Sequence, residues 1–590
     1  MIKTRLSIHR ILVLLIISAL CLSLFTGCKG SSSVTTTEKT TVAATTAGSS
    51  GSTTAGRLSL LKNESNVTLP GKFPIAEKQA TLSVAMGQSN FVLSYDYKDN
   101  YQTKWMQDLS NVKIDLQLYP EAGGGEKFSI LVNSGAALPD VVIGLGVTDP
   151  TARYVWGQAG VVIPLQEYYQ QLGYCWNNTL KEFTEYTGKE LIQFLTSPDN
   201  NLYGMVHVDS QLRNHYPRRA WINTEWLKKL NMKPPTTQSE LVAFLRACKN
   251  NDLNGNGKTD DQIALVGSAG GWYGNVIEYL MNQYIYVDSD MTSTYYLLKN
   301  KILDVAFDKP EWRDGLRFVK SLYKEGLISE LSFTQKFSDY TALMTANPTI
   351  VGIGVSGDAS SFFKNYEAMG TVKGPNGVGW HTYVPTQITA RAAITKDCKN
   401  PALAFRWLEM GYQNEYTLIQ RYGAKGVNWD YVDKKDIVRT MYDGIIDMNG
   451  SSISYFKQLE QVWMKEQKSH WQQCPLTCFF DTTKLVEVID KDTFTGSTVM
   501  TDSVRINYKN APEIADCVNM IVYTDDEVKQ YNEQRTVLNN YVKECMTRFV
   551  LGDMNIETGW DAYLQELKNM GYKDLLAIDQ KAYNRTMGIK

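Results

Sequence analysis

The sequence predicts an α/β protein whose main body is divided into two or three lobes. From about residue 78 onward, strand-like apolar runs alternate with helical patterns, and the first three such runs cover residues 80–86, 112–118 and 141–144. This rhythm of strand, helix and strand is typical of α/β folds. After the N-terminal segments are set aside, roughly five hundred residues remain, which is more than one hydrophobic core usually accommodates.

The N-terminus, residues 1–27, has the pattern of an export signal. Basic residues precede an apolar run over residues 11–20, which is too short and too soon interrupted for a permanent membrane span. A stretch that resembles a bacterial lipobox follows at Leu24-Phe25-Thr26-Gly27-Cys28. We therefore predict that Cys28 is diacylated and becomes the first mature residue. Simple secretion with a free Cys28 is the alternative.

Residues 28–75 are predicted to form a tether between this anchor and the folded body. Residues 29–57 are almost wholly Ser, Thr, Ala and Gly, a composition that buries too little apolar surface to offset the entropy of ordering. A tethered body would work in water close to the outer face of a membrane.

Charge and cysteine content exclude some classes of partner and cofactor. The formal net charge is −2 and no basic stripe is evident, so nucleic acid is not an expected partner. Cys474 and Cys478 are close enough in sequence for a short-range disulfide, but their spacing is not that of a zinc or redox pair. Free buried thiols are the better interpretation of the cysteines in the body, because they are scattered through helical patterns.

The clearest helical patterns are marked by capping signals. Thr237 and Glu240 form a capping box before a repeating apolar face. A second helix begins after Pro310 and ends at Gly326, and the chain from the capping box that starts at Thr524 is predicted to be almost entirely helical.

The stretch from Asp252 to Asp261 has oxygen-bearing side chains at alternate positions around a glycine. EF-hand loops hold calcium through oxygens in this pattern. At the position where a bidentate glutamate is expected the chain has Ile263, and Asp261 offers a carboxylate from a different direction. The alternative is an Asn- and Gly-rich surface turn without metal, because both residue types favour turns.

The chain resembles the extracellular solute-binding lipoproteins of carbohydrate ABC importers, in particular the large LplA-like lipoproteins and the alginate-oligosaccharide-binding proteins. The similarity extends over nearly all of the mature chain. The segments that carry it are residues 219–230, 235–237, 252–261, 323–328, 393–396, 400–402, 422–423, 426–429 and 560–561, together with Tyr583.

This resemblance implies a two-lobed periplasmic-binding-protein-like fold of type II, with extra C-terminal helices and lobes that close on a ligand by hinge motion. The implied divisions are residues 76–218 for the first part of lobe 1, 219–382 for lobe 2, 383–425 for the return to lobe 1, and 426–590 for a mostly helical segment packing on lobe 2 and the hinge. The resemblance also implies one structural Ca²⁺, held by Asp252, Asn254, Asn256, the main-chain oxygen of Lys258, Asp260 and Asp261. Family members usually have glutamate where Asp261 stands.

A sugar-binding cleft needs flat apolar faces for pyranose rings and fixed partners for hydroxyls. Trp226, Trp312 and Trp407 lie within helical patterns and are interpreted as packing residues. Large aromatics on loops bounded by glycine are better candidates for a working surface. The predicted ligand contacts are Trp272, Tyr273, Trp380, Trp429 and, beside the crossover between lobes, Tyr216.

The resulting hypothesis is a lipid-anchored monomer on the extracellular face of a Gram-positive type of bacterium. It would bind an oligosaccharide and pass it to the permease subunits of an ABC importer, without catalysis. An exported carbohydrate-active enzyme and a surface sensor or adhesin are the alternatives. No nucleophile or metal-hydrolase motif supports the enzyme, although nothing in one chain selects or rejects a pair of carboxylates.

Overall fold

The computed structural model describes most of the body but not the N-terminal region. The predicted signal peptide, Cys28, the tether up to residue 58, and Cys474 and Cys478 lie outside the described residues. The described residues are 59–88, 96–120, 123–181, 187–287, 294–359, 361–362, 364–437, 440, 454–460, 462–463, 466–471, 479–480, 485–488, 496–513, 516–518, 521 and 523–589.

Strands and helices alternate through the first part of the chain, as the apolar pattern predicted. The strands are β1 (Ala80–Gly87), β2 (Val112–Tyr119), β3 (Val141–Ile143), β4 (Met205–Asp209), β5 (Ala220–Asn223), β6 (Ile263–Val266), β7 (Tyr296–Lys299), β8 (Ile302–Val305), β9 (Val351–Val355), β10 (Tyr366–Ala368), β11 (Gln387–Ile394), β12 (Trp429–Tyr431), β13 (Ser454–Gln458), β14 (Phe479–Phe480) and β15 (Leu485–Glu487). The helices are α1 (Tyr101–Ser110), α2 (Gly124–Asn133), α3 (Pro150–Gln158), α4 (Gln166–Leu172), α5 (Tyr174–Leu180), α6 (Gly188–Leu195), α7 (Leu212–His215), α8 (Thr224–Lys229), α9 (Gln238–Asn250), α10 (Val276–Met281), α11 (Pro310–Lys324), α12 (Phe337–Met344), α13 (Pro401–Glu409), α14 (Asn414–Tyr422), α15 (Gly496–Asn507), α16 (Asp525–Leu551), α17 (Trp560–Asn569) and α18 (Tyr572–Thr586).

The first sheet has six strands in the order β14-β4-β11-β3-β1-β2. Strands β1, β2 and β3 are parallel, and β11 runs antiparallel to both β3 and β4. Its main core combines residues from 67–208 with residues from 388–416 and Trp471. A distant part of the chain therefore completes this sheet and its core.

The second sheet has four strands in the order β10-β5-β9-β6. Strands β6 and β9 are parallel, and β5 is antiparallel to β9. Its larger core combines residues from 220–372 with residues from 538–583 of the C-terminal helices. These helices thus pack on the second sheet's side of the molecule.

The segment after residue 426 contains strands besides the helices α15 to α18. Strands β12, β13 and β15 form a small sheet within it. Apolar residues of this small sheet pack against α14 and against Tyr101 and Trp105 of α1. The segment therefore contributes to the first sheet's side as well as to the second.

Several local predictions are confirmed. The capping boxes at Thr237 and Thr524 begin α9 and α16. Trp226, Trp312 and Trp407 are fully buried packing residues. In the described body, Cys175, Cys248, Cys398 and Cys545 are free thiols. Within the described residues, no helix combines the length and apolar character that a bilayer crossing needs.

Candidate functional site

Two crossing segments join the sheets, and their position defines the candidate site. Residues 210–219 lead from the end of β4 to the start of β5, and residues 381–386 lead back to β11. The register pairs Asp209 with Gln387 in the first sheet and Ala220 with Val355 in the second. The carboxyl ends of the parallel strands of both sheets therefore lie at the edge where the chain crosses. Ligands of open α/β sheets bind outside such carboxyl ends.

Aromatic rings are clustered on the crossing segments. The ring of Tyr216 stacks on His381 at a centroid distance of 6.1 Å and meets Tyr383 edge-on at 5.3 Å. His215 stacks on the other side of the cluster against Tyr383 at 5.6 Å. Tyr216, a predicted ligand contact, is half-buried here. His381 is buried, and burial together with the charge of Arg219 lowers its pKa to about 3.

Trp272 lies on a tight loop at the carboxyl end of β6. Its backbone oxygen accepts a hydrogen bond of 2.7 Å from the Gly357 amide, just beyond the end of β9. Gly357 leaves room for the indole, since a Cβ there would lie 2.4 Å from a ring carbon of Trp272. The guanidinium carbon of Arg219 lies 5.7 Å from the ring centroid. Arg219 and Gly357 both contact the indole, which is half-buried and keeps part of its surface exposed to solvent.

Trp380 stands at the mouth of a pocket beside the returning crossing segment. Its side chain is 37% exposed, and its amide donates a 2.9 Å hydrogen bond to the carbonyl oxygen of Asn282. The cavity has a volume of about 20 Å³, which is room for about one water molecule. The polar or aromatic residues that line it include Arg218, Tyr279, Gln283, His381 and Asn507.

Two predicted ligand contacts are placed elsewhere by the structure. Trp429 is fully buried in the core beneath β12, and its indole NH donates to the Gly423 carbonyl at 2.8 Å. Tyr273 is 4% exposed and lies beneath the guanidinium of Arg218, whose carbon is 4.9 Å from the ring centroid. These two side chains are packing residues in this structure.

Arg218 takes part in a buried ion pair behind the pocket. Its Nη2 lies 2.7 Å from Oε2 of Glu278, and the Tyr295 hydroxyl donates to the other carboxylate oxygen at 3.0 Å. The Arg218 Nε also donates to the Thr382 hydroxyl at 3.1 Å, which connects the two crossing segments. The charge of Arg218 is therefore compensated locally, and the pocket wall carries no excess charge from this pair.

A second buried ion pair fixes the outgoing crossing segment to the small sheet. Arg213 Nη1 lies 3.0 Å from Oε2 of Glu487, and its Nη2 donates to the Tyr422 hydroxyl at 2.9 Å. The Arg219 guanidinium donates to the carbonyl oxygen of Arg213. These contacts hold one end of the crossing, which is where a hinge between the two sheets would be.

The loop predicted to hold calcium folds around Asp252. Its carboxylate accepts hydrogen bonds from the amides of Gly255 and Gly257, each at 2.7 Å, and the Gly257 bond is the main cause that lowers the Asp252 pKa. Both glycines have positive φ, of 78° and 83°, which glycine adopts without strain. This is the sharp turn that the pattern predicted.

Four of the five predicted ligand side chains belong to one hydrogen-bonded network in this loop. The side-chain amides of Asn254 and Asn256 both donate to the Asp261 carboxylate, opposite Asp252. The side chain of Asp260 forms no hydrogen bond with a described residue, and the Lys258 amide donates to Asn256 Oδ1 at 2.9 Å. In the described part of the chain no three His, Cys, Asp or Glu side chains are arranged to hold a metal. A cation here would depend on amide and main-chain oxygens besides the carboxylates, which is a donor set that suits Ca²⁺.

Sequence reasoning missed most of the residues that line the crossing. His215, Tyr286 and Tyr383 form its aromatic contacts, and Tyr279 and Gln283 line the pocket. The adjacent Arg218 and Arg219 before β5 were a usable signal, because two consecutive arginines next to a buried strand need partners. Tyr279 and Gln283 gave no comparable signal, since they belong to an ordinary helical stretch.

The family model for bacterial extracellular solute-binding proteins matches residues 95–417. Among curated proteins, the fructooligosaccharide ABC transporter substrate-binding protein FusA of Streptococcus pneumoniae is 24% identical over 538 residues, which are 87% of this chain and 91% of FusA. Lipoprotein LipO of Bacillus subtilis is 24% identical over 509 residues, 81% of this chain and 88% of LipO.

Solved structures show the same fold. S. pneumoniae FusA in complex with kestose superposes with a TM-score of 0.69 at 22% identity, over 86% of this chain and 100% of FusA, and an EF-hand mutant of FusA in complex with fructo-nystose gives the same values. The alginate-binding protein AlgQ2 without calcium ion gives a TM-score of 0.63 at 21% identity, over 86% and 99% of the two chains. The predicted two-lobed α/β fold of type II is thereby confirmed.

Proposed function

Since this chain belongs to the bacterial extracellular solute-binding proteins, we propose that it captures an oligosaccharide between its two lobes and delivers it to an ABC importer. The observation that carries the proposal is the set of partly exposed aromatic rings, Trp272, Tyr216 and Trp380, at the carboxyl edges where the chain crosses between the two sheets. Such rings offer apolar faces to sugar rings, and hydroxyls find partners on the polar groups around them. FusA, with a similar fold, is a fructooligosaccharide-binding protein.

The lobes are proposed to close on the sugar by a hinge at the crossing segments. The proposed divisions are residues 76–218 and 383–425 for lobe 1 and 219–382 for lobe 2. Binding stabilises the closed form only by the contacts that closure adds. We further propose that the protein acts as a monomer, anchored by lipid at Cys28 on the extracellular face of the membrane, and that it binds its sugar without chemical turnover.

Titration with oligosaccharides tests this function. Wild-type protein titrated calorimetrically with kestose, maltotriose and an alginate trisaccharide should bind at least one of them, and small-angle scattering should show compaction on saturation. Replacing Trp272 by alanine should weaken that binding by about 2 kcal/mol, or roughly thirtyfold, because a stacking face is lost. Tyr174→Ala is the matched control, since Tyr174 is an exposed aromatic residue of α5, away from the crossing segments.

Two outcomes would contradict the proposal. Cleavage of any of these oligosaccharides during incubation would mean an enzyme rather than a binding protein. Saturable binding that Trp272→Ala and Tyr174→Ala reduce equally would mean that the aromatic edge of the crossing is not the binding surface.

We also propose that the loop from Asp252 to Asp261 binds one structural Ca²⁺. The proposed ligands are Asp252, Asn254, Asn256, the Lys258 carbonyl, Asp260 and Asp261. Two features support the site: the Asp252 carboxylate at the centre of the glycine turns, and the Asp261 carboxylate to which Asn254 and Asn256 donate. The loop connects the end of α9 to the amino end of β6, whereas Trp272 follows the carboxyl end of that strand. The proposed metal would therefore stabilise the connection between α9 and β6, at the edge of the sheet opposite the proposed sugar site.

Removing calcium is therefore expected to lower stability with little effect on sugar affinity. A ligand at a hundred times its Kd stabilises a folded protein by about 2.7 kcal/mol, and chelation removes this contribution. The measurement is the melting temperature with excess EGTA and after re-addition of CaCl₂, followed by a kestose or trisaccharide titration in both states. The variant Asp252→Ala should make the melting temperature insensitive to EGTA. Loss of sugar affinity with an unchanged melting temperature would contradict a structural role.

A further inference from the structure

Two arginine side chains on the first sheet's side of the molecule have no counter-charge. Arg391 lies on β11, and Arg421 lies in the last turn of α14. In the described part of the chain neither forms an ion pair, and no residue accepts a hydrogen bond from their terminal nitrogens. Both side chains are half-buried, so each Nε is enclosed whereas the terminal nitrogens stay open to solvent. A partly buried charge without a partner is costly, which makes this pair unusual.

Arg391 stands at the carboxyl ends of the parallel strands of the first sheet. The amide of Gly144, which follows β3, donates a 2.8 Å hydrogen bond to the Arg391 carbonyl oxygen. The register between β11 and β4 shifts between Ala390 and Ala392, so Arg391 occupies a β-bulge. Bulges re-aim side chains and are frequent next to functional sites. Arg391 therefore lies at the same edge of the sheet as the crossing segments.

Arg421 carries its charge beside an aromatic ring. Its guanidinium carbon lies 5.6 Å from the ring centroid of Trp463, whose side chain is half-buried. The ring of His470 meets Trp463 edge-on at 5.5 Å, and His470 Nδ1 donates to the Gln420 carbonyl oxygen at 2.8 Å. These contacts hold the indole next to Arg421. A partly exposed indole offers an apolar face to a sugar ring.

His207 on β4 shows that the two charges act at one place. Burial lowers the pKa of His207, and the charges of Arg391 and Arg421 lower it further, so both guanidiniums lie near this imidazole. Two residues later on the strand, the Asp209 carboxylate accepts a 2.9 Å hydrogen bond from the Asn214 side chain and pairs with neither arginine. The group formed by Arg391, Arg421 and Trp463, which we call the arginine patch, therefore keeps an excess of positive charge.

The chemistry of the arginine patch favours an anionic ligand. Guanidinium groups bind carboxylates and sulfates through charge-assisted hydrogen bonds, which are roughly twice as strong as hydrogen bonds between neutral groups. A neutral sugar would leave both charges uncompensated when the lobes close and exclude water, which is unfavourable. A sugar unit that carries an acidic group would compensate them.

We propose that the bound oligosaccharide is acidic, with a carboxylate or sulfate held by Arg391 and Arg421 and a sugar ring against Trp463. The inference rests on the proposed oligosaccharide function and narrows its ligand to one chemical class. The aromatic rings at the crossing segments contact other units of the same oligosaccharide.

Titration with acidic and neutral trisaccharides tests the proposal. Wild-type protein should bind an alginate trisaccharide or a sulfated galactotriose at least about tenfold more tightly than maltotriose or kestose, because only the acidic probes compensate the two charges. The two acidic probes distinguish a carboxylate from a sulfate. Added NaCl should weaken the acidic complexes more than the neutral ones, since salt screens the interaction between charges.

Charge-removing variants locate the effect. Arg391→Gln and Arg421→Gln should each weaken binding of the preferred acidic trisaccharide at least about tenfold, and Arg391→Lys should retain most of the preference for acidic probes. The sugar-free melting temperatures should stay close to that of wild type, because neither arginine gives up an ion pair. Arg246→Gln is the matched control, since it changes the net charge equally at an exposed pair on α9.

Four outcomes would contradict the inference, and only the last also contradicts the proposed function. The first is tighter binding of maltotriose or kestose than of both acidic probes. The second is an equal loss of acidic binding in Arg391→Gln and Arg246→Gln, which would reflect net charge alone. The third is lower sugar-free stability of the two patch variants with unchanged affinity, which would mean a structural role. The fourth is a wild-type protein that binds none of the four probes.

Discussion

Replacing Glu278 by alanine is expected to lower the free energy of unfolding by about 3–5 kcal/mol, because it leaves Arg218 buried without its counter-charge. The side chains of Arg218 and Glu278 are 1% and 4% exposed, and the Tyr295 hydroxyl loses its acceptor as well. Urea unfolding, followed by tryptophan fluorescence and by circular dichroism, measures the effect. The double variant Arg218→Met with Glu278→Met should recover most of the loss, since apolar groups of similar volume often replace a buried pair without cost.

A surface pair of the same chemistry provides the control. Arg246 and Glu325 form a 2.6 Å ion pair whose side chains are 56% and 38% exposed. Water and salt screen such a pair, so Glu325→Ala should be far less destabilising than Glu278→Ala. Equal losses in the two variants would show that burial does not amplify the interaction behind the pocket.

Acidification from pH 6.5 to pH 4 is expected to destabilise the protein by several kcal/mol. Burial lowers the pKa of His381 to about 3 and that of His470 to about 4, so both rings are neutral in the folded state. The unfolded chain binds protons on histidine below about pH 6.5 and the folded protein does not, which costs about 1.4 kcal/mol per histidine and per pH unit. The stability that the two histidines contribute is therefore fully present above pH 6.5, and it is lost as the pH falls toward their pKa values in the folded protein.

Glu409 opposes this trend over part of the range. Burial raises its pKa to about 7 although the amide of Cys175 donates to it at 2.7 Å. The folded state consequently holds a proton on Glu409 between about pH 4.5 and 7 that the unfolded state lacks, and stability from this group increases as the pH falls. Burial also lowers the pKa of His207, and it raises the pKa of Glu64 and Asp579 as it does that of Glu409. The three histidines lose stability over the whole range from pH 6.5 to pH 4, so the net change is destabilising.

Unfolding free energies measured at pH 7, 6, 5 and 4 test these signs. His470→Gln should flatten the acid slope, because one of the three neutral buried rings is removed. Glu409→Gln should steepen it, because the opposing contribution disappears. A slope that neither variant changes would place the acid sensitivity in other groups.

Features that depend only on residues close together in the chain could be predicted from the sequence. The capping box of Thr237 needs only Glu240 three residues later, and the apolar run that marks β1 needs only its own eight residues. The glycine turns around Asp252 follow from positive φ within one loop. Trp226 and Trp312 were assigned to packing because a helix repeats its buried face every three to four residues.

Contacts between residues that are far apart in the chain could not be predicted from the sequence. Trp429 and Trp272 both follow glycine-containing loops. Pairing of β12 with β13, about thirty residues later in the chain, buries the Trp429 indole, whereas the Trp272 indole stays partly exposed. Trp380 lines a pocket only because α10, the loop after β10 and the end of α15 come together there. Arg391 and Arg421 stand out only once it is known that no described carboxylate pairs with them.

The sequence by itself determined the family, the α/β character, the helix boundaries and the loop with the calcium pattern, because these are set by local periodicity, capping and turn chemistry. Only the tertiary structure decided which aromatic rings lie at the crossing and which polar groups lack partners. Burial and hydrogen-bond satisfaction depend on contacts between segments far apart in the chain, and no local pattern encodes them.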